Sequence, residues 1–322
     1  MSKSKYNNPF SATLNGILDL FRKQVPIGKL SPSDRLDGKT CLVTGSNTGL
    51  GFAIAQQMAE RGAKVYMACR SGIPEAGEKI KKASGSNLVE MLKIDLSSIQ
   101  SIKRFIAKVK EEGLQFDVAV FNAAMVPSGS KKTEDGFDQM FQVNYLSKFI
   151  LVNGLLEAGA FKAGNSRIIF VNSESHRTAR DIDFENLGKF EEYSMSKVIS
   201  LYGYYKLLLN VYAKELSRRQ NKETFKYGIF ALCPGPVNSN IAREAPKIFM
   251  PLLKLIFGIF FSSPSKAAEP VMYLACSPSL EGKSDVYLHL MQKKEMDAKA
   301  LDVESGRKLW QKSEELVAAS GH

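Results

Sequence analysis

Tyr193 and Lys197 are the two side chains of this sequence whose types and spacing most directly suggest chemistry. They stand four residues apart in a stretch that reads as a helix, and residues at this spacing share one helical face. A nearby ammonium stabilises a phenolate, so it lowers the pKa of a phenol from its ordinary value of about 10 toward neutrality. The pair could therefore act as a general acid or base. The alternative is that both side chains lie on a solvated helix face.

A glycine-rich turn follows the first predicted strand and has the properties of a phosphate site. Gly45, Gly49 and Gly51 stand between that strand and a helix-like run. Glycines let the backbone approach a pyrophosphate, and the free amides at a helix start attract its negative charge. The spacing of these glycines differs from the standard dinucleotide fingerprint. We predict a dinucleotide site here, with a plain strand-to-helix turn as the alternative.

Arg70 bears on which dinucleotide would bind. It ends the second predicted strand, where NAD-binding proteins carry an acid that holds the ribose 2′-hydroxyl and where an arginine accommodates a 2′-phosphate. A guanidinium about 4 Å from a phosphate charge gains on the order of 1 kcal/mol in water and about 4 kcal/mol at a partly screened surface. This difference predicts NADP as the cofactor. The alternative is a solvated surface arginine.

Short apolar runs alternate with longer helical stretches from residue 37 onward, which is typical of parallel strands joined by crossover helices. The strand candidates are Thr40–Thr44, Lys64–Ala68, Leu88–Ile94, Asp117–Phe121, Arg167–Asn172, Tyr227–Leu232 and Val286–Leu290. Such continuous apolar runs are expected when both faces of a sheet are covered. The sequence thus predicts an α/β fold, a Rossmann-type doubly wound parallel sheet of about seven strands in a single domain, spanning residues 37–322.

Two apolar segments leave alternatives open. Residues 1–36 form an N-terminal arm in which Leu14, Ile17, Leu18 and Phe21 fall on one helical face, so it is either a packed arm, which we favour, or a short membrane-surface helix. A loop near residues 240–264 contains the strongly apolar run 248–261. This run predicts a lid over a lipophilic substrate, with a segment resting on a bilayer or a buried helix pair as alternatives. Neither segment reaches the roughly 20 apolar residues that span a bilayer.

Composition narrows the class of protein. The formal charge of +11 favours anionic partners such as cofactor phosphates, while no arginine-rich run or zinc-finger spacing supports nucleic acid. The four cysteines are far apart and read as reduced residues of a cytoplasmic protein. The three histidines show no ligand spacing, so no metal site is predicted.

In their order along the chain, these motifs resemble the short-chain dehydrogenases/reductases. The resemblance rests on the glycine turn, Asn122-Ala123-Ala124, Asn144, Ser173, the Tyr193 and Lys197 pair, and Pro234-Gly235. More narrowly, the chain is similar to the retinol-dehydrogenase-like branch, through Ala68-Cys69-Arg70, Asp95-Leu96, Asp135-Gly136-Phe137, Val143-Asn144-Tyr145, His176 after Ser173, and Lys308-Leu309-Trp310.

This resemblance implies a role for each residue. Tyr193 would exchange a proton with the substrate oxygen, and Lys197 would lower its pKa and hold the nicotinamide ribose. Ser173 would hydrogen-bond the same substrate oxygen, and Asn144 would hold a water that links Lys197 to solvent. The cofactor would lie against Gly45, Asn47, Gly49, Leu50, Gly51, Arg70, Asp95, Leu96, Asn122, Ala123, Tyr193, Lys197, Pro234, Val237 and Ser239.

The activity expected from the resemblance is NADP-dependent interconversion of a lipophilic alcohol and its aldehyde or ketone. The main alternative is a catalytically inactive member of the family that binds NADP and serves as a sensor or membrane-associated scaffold. Asn122-Ala123-Ala124 also resembles the light-driven protochlorophyllide reductases, but Pro236 stands where that group has a cysteine, which disfavours the photoenzyme. In the family the helix carrying the tyrosine often builds a homodimer interface, so the resemblance implies a homodimer. In this sequence that helix reads about seven residues longer than in the branch.

Overall fold

The computed structural model describes residues 27–237 and 262–320. Most of the predicted N-terminal arm, most of the apolar loop near 240–264 and the predicted cofactor residue Ser239 lie outside these ranges.

One mixed sheet of eight strands runs through the structure in the order β3-β2-β1-β4-β5-β6-β7-β8. The strands are β1 Thr40–Thr44, β2 Lys64–Cys69, β3 Val89–Lys93, β4 Val118–Phe121, β5 Arg167–Val171, β6 Gly228–Cys233, β7 Val286–His289 and β8 Gln292–Lys293. The first seven are parallel, and the two-residue β8 pairs antiparallel with β7. All seven predicted strands are confirmed, while β8 was too short to predict. The strand order reverses between β1 and β4, where a doubly wound fold opens its binding crevice.

Nine α-helical segments connect or follow the described strands. They are α1 Gly49–Glu60, α2 Glu75–Ser84, α3 Ile99–Glu111, α4 Gln139–Phe141, α5 Ser147–Glu157, α6 Met195–Gln220, α7 Pro264–Cys276, α8 Ala298–Leu301 and α9 Val303–Ala319. A π-helical turn, Gln142–Leu146, joins α4 to α5, and a 3₁₀ helix, Glu174–Thr178, follows β5. The prediction of helices on both sheet faces is therefore confirmed.

The sheet divides the hydrophobic core into two layers. Along β1, the side chain of Leu42 enters the layer formed with α3, α5, α6 and α9, while Cys41 and Val43 enter the layer formed with α1, α2 and α7. All three are fully buried. Because both faces of the strand are covered, the β1 sequence is continuously apolar rather than alternating.

Phe170 lies at the centre of the layer beneath α6. Its ring is fully buried, stacks on Phe121 at 5.5 Å between centroids, and meets the Tyr212 ring edge-on at 5.7 Å. The strand β5 that carries it leads directly into Ser173 and the 3₁₀ helix. This packing therefore anchors the strand from which the candidate site is built.

An ionic cluster ties the 3₁₀ helix to the segment after β7. The carboxylate of Glu174 accepts hydrogen bonds from Tyr287 at 2.7 Å, Lys294 at 2.6 Å and Arg177 at 2.8 Å. Burial alone would raise the pKa of Glu174, but Arg177 and Lys294 outweigh it and hold this pKa at about 2. The neighbouring His176 is fully buried, and burial together with the charge of Arg177 lowers its pKa to about 4.

Truncation of Phe170 tests the anchoring of β5. We expect Phe170→Ala to lower the free energy of unfolding by about 3–5 kcal/mol, because it removes two aromatic contacts and leaves a cavity in a filled layer. Urea denaturation measures the change. Leu88→Ala is the matched control: Leu88 is 52% exposed and should shift stability by less than about 0.5 kcal/mol. Equal losses in the two variants would contradict this description of the core.

Acidification should destabilise the fold in two successive windows. The pKa of His176 is about 6.5 in the unfolded chain and about 4 in the folded protein. Between these values the unfolded state binds more protons, so stability falls as the pH drops through this window. The same holds for Glu174 between 4.5 and about 2. Each group contributes a slope of at most about 1.4 kcal/mol per pH unit. Urea denaturation at pH 7, 5.5, 4 and 3 measures the fall in stability across both windows. His176→Asn should flatten the upper window, and an unchanged slope there would show that His176 is not responsible.

Candidate active site

The turn between β1 and α1 is shaped by close backbone approaches that only glycine permits. Gly45 and Gly49 have φ angles of 64° and 59°, in the left-handed region. A Cβ at Gly51 would lie 2.3 Å from the carbonyl oxygen of Gly45 and 2.5 Å from Nδ2 of Asn122. Asn122 closes the turn by donating from Nδ2 to the carbonyls of Thr44 at 3.1 Å and Gly45 at 3.2 Å. The turn is therefore a fixed cradle.

The start of α1 offers backbone donors to an anion. Its N-cap residue, Thr48, makes no side-chain capping hydrogen bond, and the first turn of the helix contains no acid. The first amides of the helix thus have no intrahelical acceptor and face the glycine turn. A pyrophosphate fits this arrangement, because the amides and the helix dipole both favour negative charge.

A cleft of about 550 Å³ extends from this cradle along the carboxyl ends of the strands to Ser173. With the exception of Tyr193 and Lys197, each predicted cofactor-binding residue that the structure describes lines this cleft: Gly45, Asn47, Gly49, Leu50, Gly51, Arg70, Asp95, Leu96, Asn122, Ala123, Pro234 and Val237. Sequence positions that were predicted separately therefore meet in one cavity.

Arg70 lies at the end of the cleft beyond the glycine cradle. Its side chain is 56% exposed, and its Nη1 lies 4.0 Å from Oδ2 of Asp95, an acid that follows β3. An exposed ion pair at this distance contributes little, so the guanidinium remains available to an anion. Asn47 and Ser71 line the same end, where Nδ2 of Asn47 lies 3.5 Å from Oγ of Ser71.

Tyr193 and Lys197 do not face the cleft, which corrects the placement predicted for them. Helix α6 begins at Met195, so Tyr193 precedes the helix, and the pair does not share a helical face. The Tyr193 hydroxyl donates to Oδ2 of the buried Asp138 at 2.9 Å, while Lys197 is exposed on the first turn. Burial and the charge of Asp138 raise the pKa of Tyr193, opposite to the lowering that Lys197 was expected to cause.

The same spacing recurs nine residues later, and this second pair lies in the cleft. Tyr202 and Lys206 both line the cavity together with Ser173. The Lys206 Nζ lies 5.6 Å from the centroid of the Tyr202 ring and donates to the carbonyl of Val171 at 2.9 Å. The sequence contained the signal, since Tyr202 and Lys206 are also four residues apart. This stretch is predicted from the sequence only as an extension of the helix, and so the second pair is missed.

Burial sets the protonation states of the second pair. It raises the pKa of Tyr202, and a hydrogen bond with Ser173 opposes the rise. It also lowers the pKa of Lys206 to about 8. At neutral pH the phenol therefore holds its proton and Lys206 is predominantly a cation. A neutral phenol beside a buried ammonium is suited to give a proton to an acceptor that enters the cleft.

Gly203 brings this pair close to Ser173. A Cβ at Gly203 would lie 2.6 Å from the carbonyl oxygen of Ser175, which is closer than non-bonded atoms allow. Helix α6 therefore packs directly on the backbone of the 3₁₀ helix. Within that helix, Ser175 donates from its hydroxyl to Oγ of Ser173 at 3.0 Å. The arrangement holds the serine hydroxyl beside Tyr202.

Asn144 lies beneath the cleft rather than in its lining. Its fully buried amide accepts from the Met125 amide at 2.8 Å and donates to the Met125 carbonyl at 2.9 Å. Lys148, one turn further, donates to the carbonyl of Ala123 at 2.6 Å. Both side chains brace the loop after β4. The predicted water link from Asn144 to Lys197 does not fit this structure, because Lys197 is on the surface.

The described residues were also compared with what a metal site and a membrane-spanning helix require. Between residues 27 and 237 and between 262 and 320, no three side chains of the metal-binding types cluster as a metal site would require. Within the same ranges, no helix combines the length and apolar character needed to cross a bilayer.

Comparisons with known proteins agree with this geometry. The sequence model of the short chain dehydrogenase family matches residues 39–247. Retinol dehydrogenase 14 of Mus musculus is 34% identical over 299 residues, covering 88% of this chain and 86% of its own. Retinol dehydrogenase 13 of Mus musculus is 35% identical over 314 residues, covering 95% and 91%.

Solved structures share the fold. An uncharacterized protein from Mycobacterium paratuberculosis superimposes with a TM-score of 0.70 at 25% identity, covering 90% of this chain and 98% of that one. The angucycline C-6 ketoreductase LanV with bound NADP has a TM-score of 0.60 at 24% identity, covering 80% and 95%. With its doubly wound sheet, its glycine cradle and these relatives, the chain belongs to the short-chain dehydrogenase family of oxidoreductases, in the retinol-dehydrogenase-like branch.

Proposed function

We propose that this protein is an NADP-dependent oxidoreductase that interconverts a lipophilic alcohol and its aldehyde or ketone, with Tyr202 and Lys206 as the acid–base pair. The observation that carries the proposal is the meeting of Tyr202, Lys206 and Ser173 in one cleft with the glycine cradle. Tyr193 and Lys197 have the same spacing but lack access to that cleft.

In the reductive direction, Tyr202 gives its phenolic proton to the carbonyl oxygen of the substrate. Ser173 donates a hydrogen bond to the same oxygen, which gains negative charge as the carbonyl is reduced. Lys206 stabilises the phenolate left on Tyr202, because a cation held beside the ring favours its charged form. The bound cofactor supplies the hydride. In the oxidative direction the phenolate removes the proton from the alcohol.

Arg70 supports NADP over NAD as the cofactor. The guanidinium is at the end of β2, more than half exposed and only weakly paired with Asp95. Its position beyond the glycine cradle suits the 2′-phosphate of an adenosine ribose. Asn47 and Ser71, at the same end of the cleft, offer further polar contacts.

A lipophilic substrate is supported by two observations of different kinds. The similar proteins named above are retinol dehydrogenases, whose named substrate is an apolar alcohol. In this chain, Val126 and Val143 line the cleft, and the sequence 248–261, outside the described residues, is strongly apolar. Three further proposals rest on the sequence alone, namely a cytoplasmic location, peripheral membrane contact and a homodimer.

Replacing each tyrosine by phenylalanine tests which of the two tyrosine–lysine pairs contains the proton donor. We expect Tyr202→Phe to lower kcat at least about 100-fold, because the substrate oxygen loses its proton donor. Affinity for NADPH should change little. The measurement follows NADPH absorbance with retinaldehyde and a panel of long-chain aldehydes and steroid ketones. Tyr193→Phe is the matched control and should keep kcat within about threefold, since its hydroxyl contacts only Asp138 among the bonds that the structure describes.

The result that contradicts this assignment is the reverse pattern. Loss of turnover in Tyr193→Phe with full activity in Tyr202→Phe would return the proton donor to Tyr193. Absence of activity on every member of the panel would count against the substrate class instead.

Charge reversal at Arg70 tests the choice of cofactor. The native protein should bind NADPH more tightly than NADH, and Arg70→Asp should weaken NADPH binding about 100-fold or more while leaving NADH binding nearly unchanged. Fluorescence titration of the reduced cofactors measures both. Arg104→Asp, an equal charge change on the exposed face of α3, is the control and should leave the preference intact. Equal affinity of the native protein for the two cofactors would refute the role of Arg70.

A further inference from the structure

We infer that His176 is a positioning residue, which clamps the main chain of Ser173 and links it to the C-terminal segment that precedes α8. The inference rests on the proposed function, because Ser173 is the residue through which His176 would act. His176 does not line the cleft and contacts no reacting atom.

The contacts of the His176 ring determine its tautomer. Nδ1 lies 2.7 Å from the carbonyl oxygen of Ser173, and Nε2 lies 3.2 Å from the backbone nitrogen of Asp297. A carbonyl only accepts and a backbone amide only donates, so Nδ1 must carry the proton and Nε2 must accept. The ring is therefore a neutral bridge with one donor and one acceptor, and both are used.

The surroundings of the ring keep it neutral. It is fully buried, and the Tyr287 ring from β7 meets it edge-on at 5.7 Å between centroids. Arg177 and Glu174, from the same 3₁₀ helix, and Asp297 are the charged groups whose fields reach it. A second proton would place an N–H of the ring against the Asp297 amide. Protonation would thus break the link to the C-terminal segment.

The clamp acts on Ser173, whose hydroxyl must be held in place beside Tyr202. The backbone nitrogen of Ser173 donates to Oδ1 of Asn172 at 2.9 Å, and its carbonyl accepts from the His176 ring and, at 3.3 Å, from the His176 amide. Both peptide groups that flank the Ser173 side chain are therefore fixed, so its Oγ has a defined direction beside Tyr202. Because small displacements of a catalytic group are costly, loosening this clamp should reduce turnover.

The other end of the bridge reaches an element that contributes nothing to the cofactor cradle. Asp297 caps α8 by accepting from the Lys299 amide at 3.1 Å, and its own amide is the donor to His176. Helix α8 packs on α6, the helix that carries Tyr202 and Lys206. One buried imidazole thus connects Ser173 to a segment that packs on the helix carrying Tyr202 and Lys206.

Two amide substitutions separate a positioning role from a merely structural one. The side-chain nitrogen of His176→Asn can occupy the place of Nδ1 and donate to Ser173, whereas His176→Gln places its amide near Nε2 and loses that donor. We expect kcat to fall about tenfold or more in the Gln variant and to stay within about threefold of native in the Asn variant. KM for NADPH should be unchanged in both. The assay measures the reduction of retinaldehyde by NADPH for the native protein and both variants, and Tm is measured for all three.

Equal kcat values in the two variants, or a kcat that follows Tm alone, would overturn the inference. A second measurement does not depend on turnover: ¹⁵N-histidine NMR of the native protein should show His176 as the neutral Nδ1–H tautomer from pH 8 down to near its pKa of about 4. The His176→Asn spectrum assigns the signal. An Nε2–H tautomer would refute the clamp even if the variants failed to fold. Failure of the proposed function is distinct, since it would show as undiminished turnover in Tyr202→Phe.

Discussion

The close approach of α6 to the 3₁₀ helix after β5 is the constraint on which the candidate site depends. It is possible because Gly203 has no Cβ, where even a methyl group would meet the Ser175 carbonyl. The approach brings Tyr202 and Lys206 from one helix beside Ser173 at the end of one strand. The glycine cradle then supplies the cofactor end of the same cleft. Two close backbone contacts, at Gly51 and at Gly203, thus define the two ends of the site.

Two buried titratable residues near Ser173 are held in different charge states. Glu174 is held ionised by Arg177 and Lys294, while His176 is held neutral by burial. The segment after β5 therefore carries a fixed ionic anchor and a fixed neutral bridge on neighbouring residues. Lys206, whose pKa is about 8, is the cation that remains beside the phenol of Tyr202. The charges of the site are arranged by packing rather than by exposed ion pairs.

Much of the fold and of the cofactor cleft could be predicted from the sequence, because both depend on local signals. Buried parallel strands are apolar throughout, and the residues that follow them gather at one edge of the sheet, so the cradle and Arg70 could be placed by strand position alone. Strand β8 could not be predicted, since two residues carry no pattern. The sequence predicts Tyr193 and Lys197 at the cleft, where the structure has Tyr202 and Lys206, because two Tyr–Lys pairs share one spacing. Two differences that are set by tertiary contacts distinguish the pairs, namely the start of α6 at Met195 and the hydrogen bond from the Tyr193 hydroxyl to Asp138.

The two pairs also differ in helical phase. Nine residues correspond to two and a half turns, so even a longer α6 would have turned Tyr193 and Tyr202 to opposite faces. One face meets the cleft and the other meets Asp138 or solvent. Only one of the pairs can therefore serve a cofactor bound in this cleft.

A crystal structure of the NADP⁺ complex would show which of the two Tyr–Lys pairs meets the cofactor. We expect Nζ of Lys206 to lie within hydrogen-bond distance of the nicotinamide ribose, with the Tyr202 hydroxyl directed at the position of the substrate oxygen. Tyr193 should remain on Asp138. A complex in which Lys197 contacts the nicotinamide ribose and Tyr193 has left Asp138 would show that Tyr202 and Lys206 are not the acid–base pair.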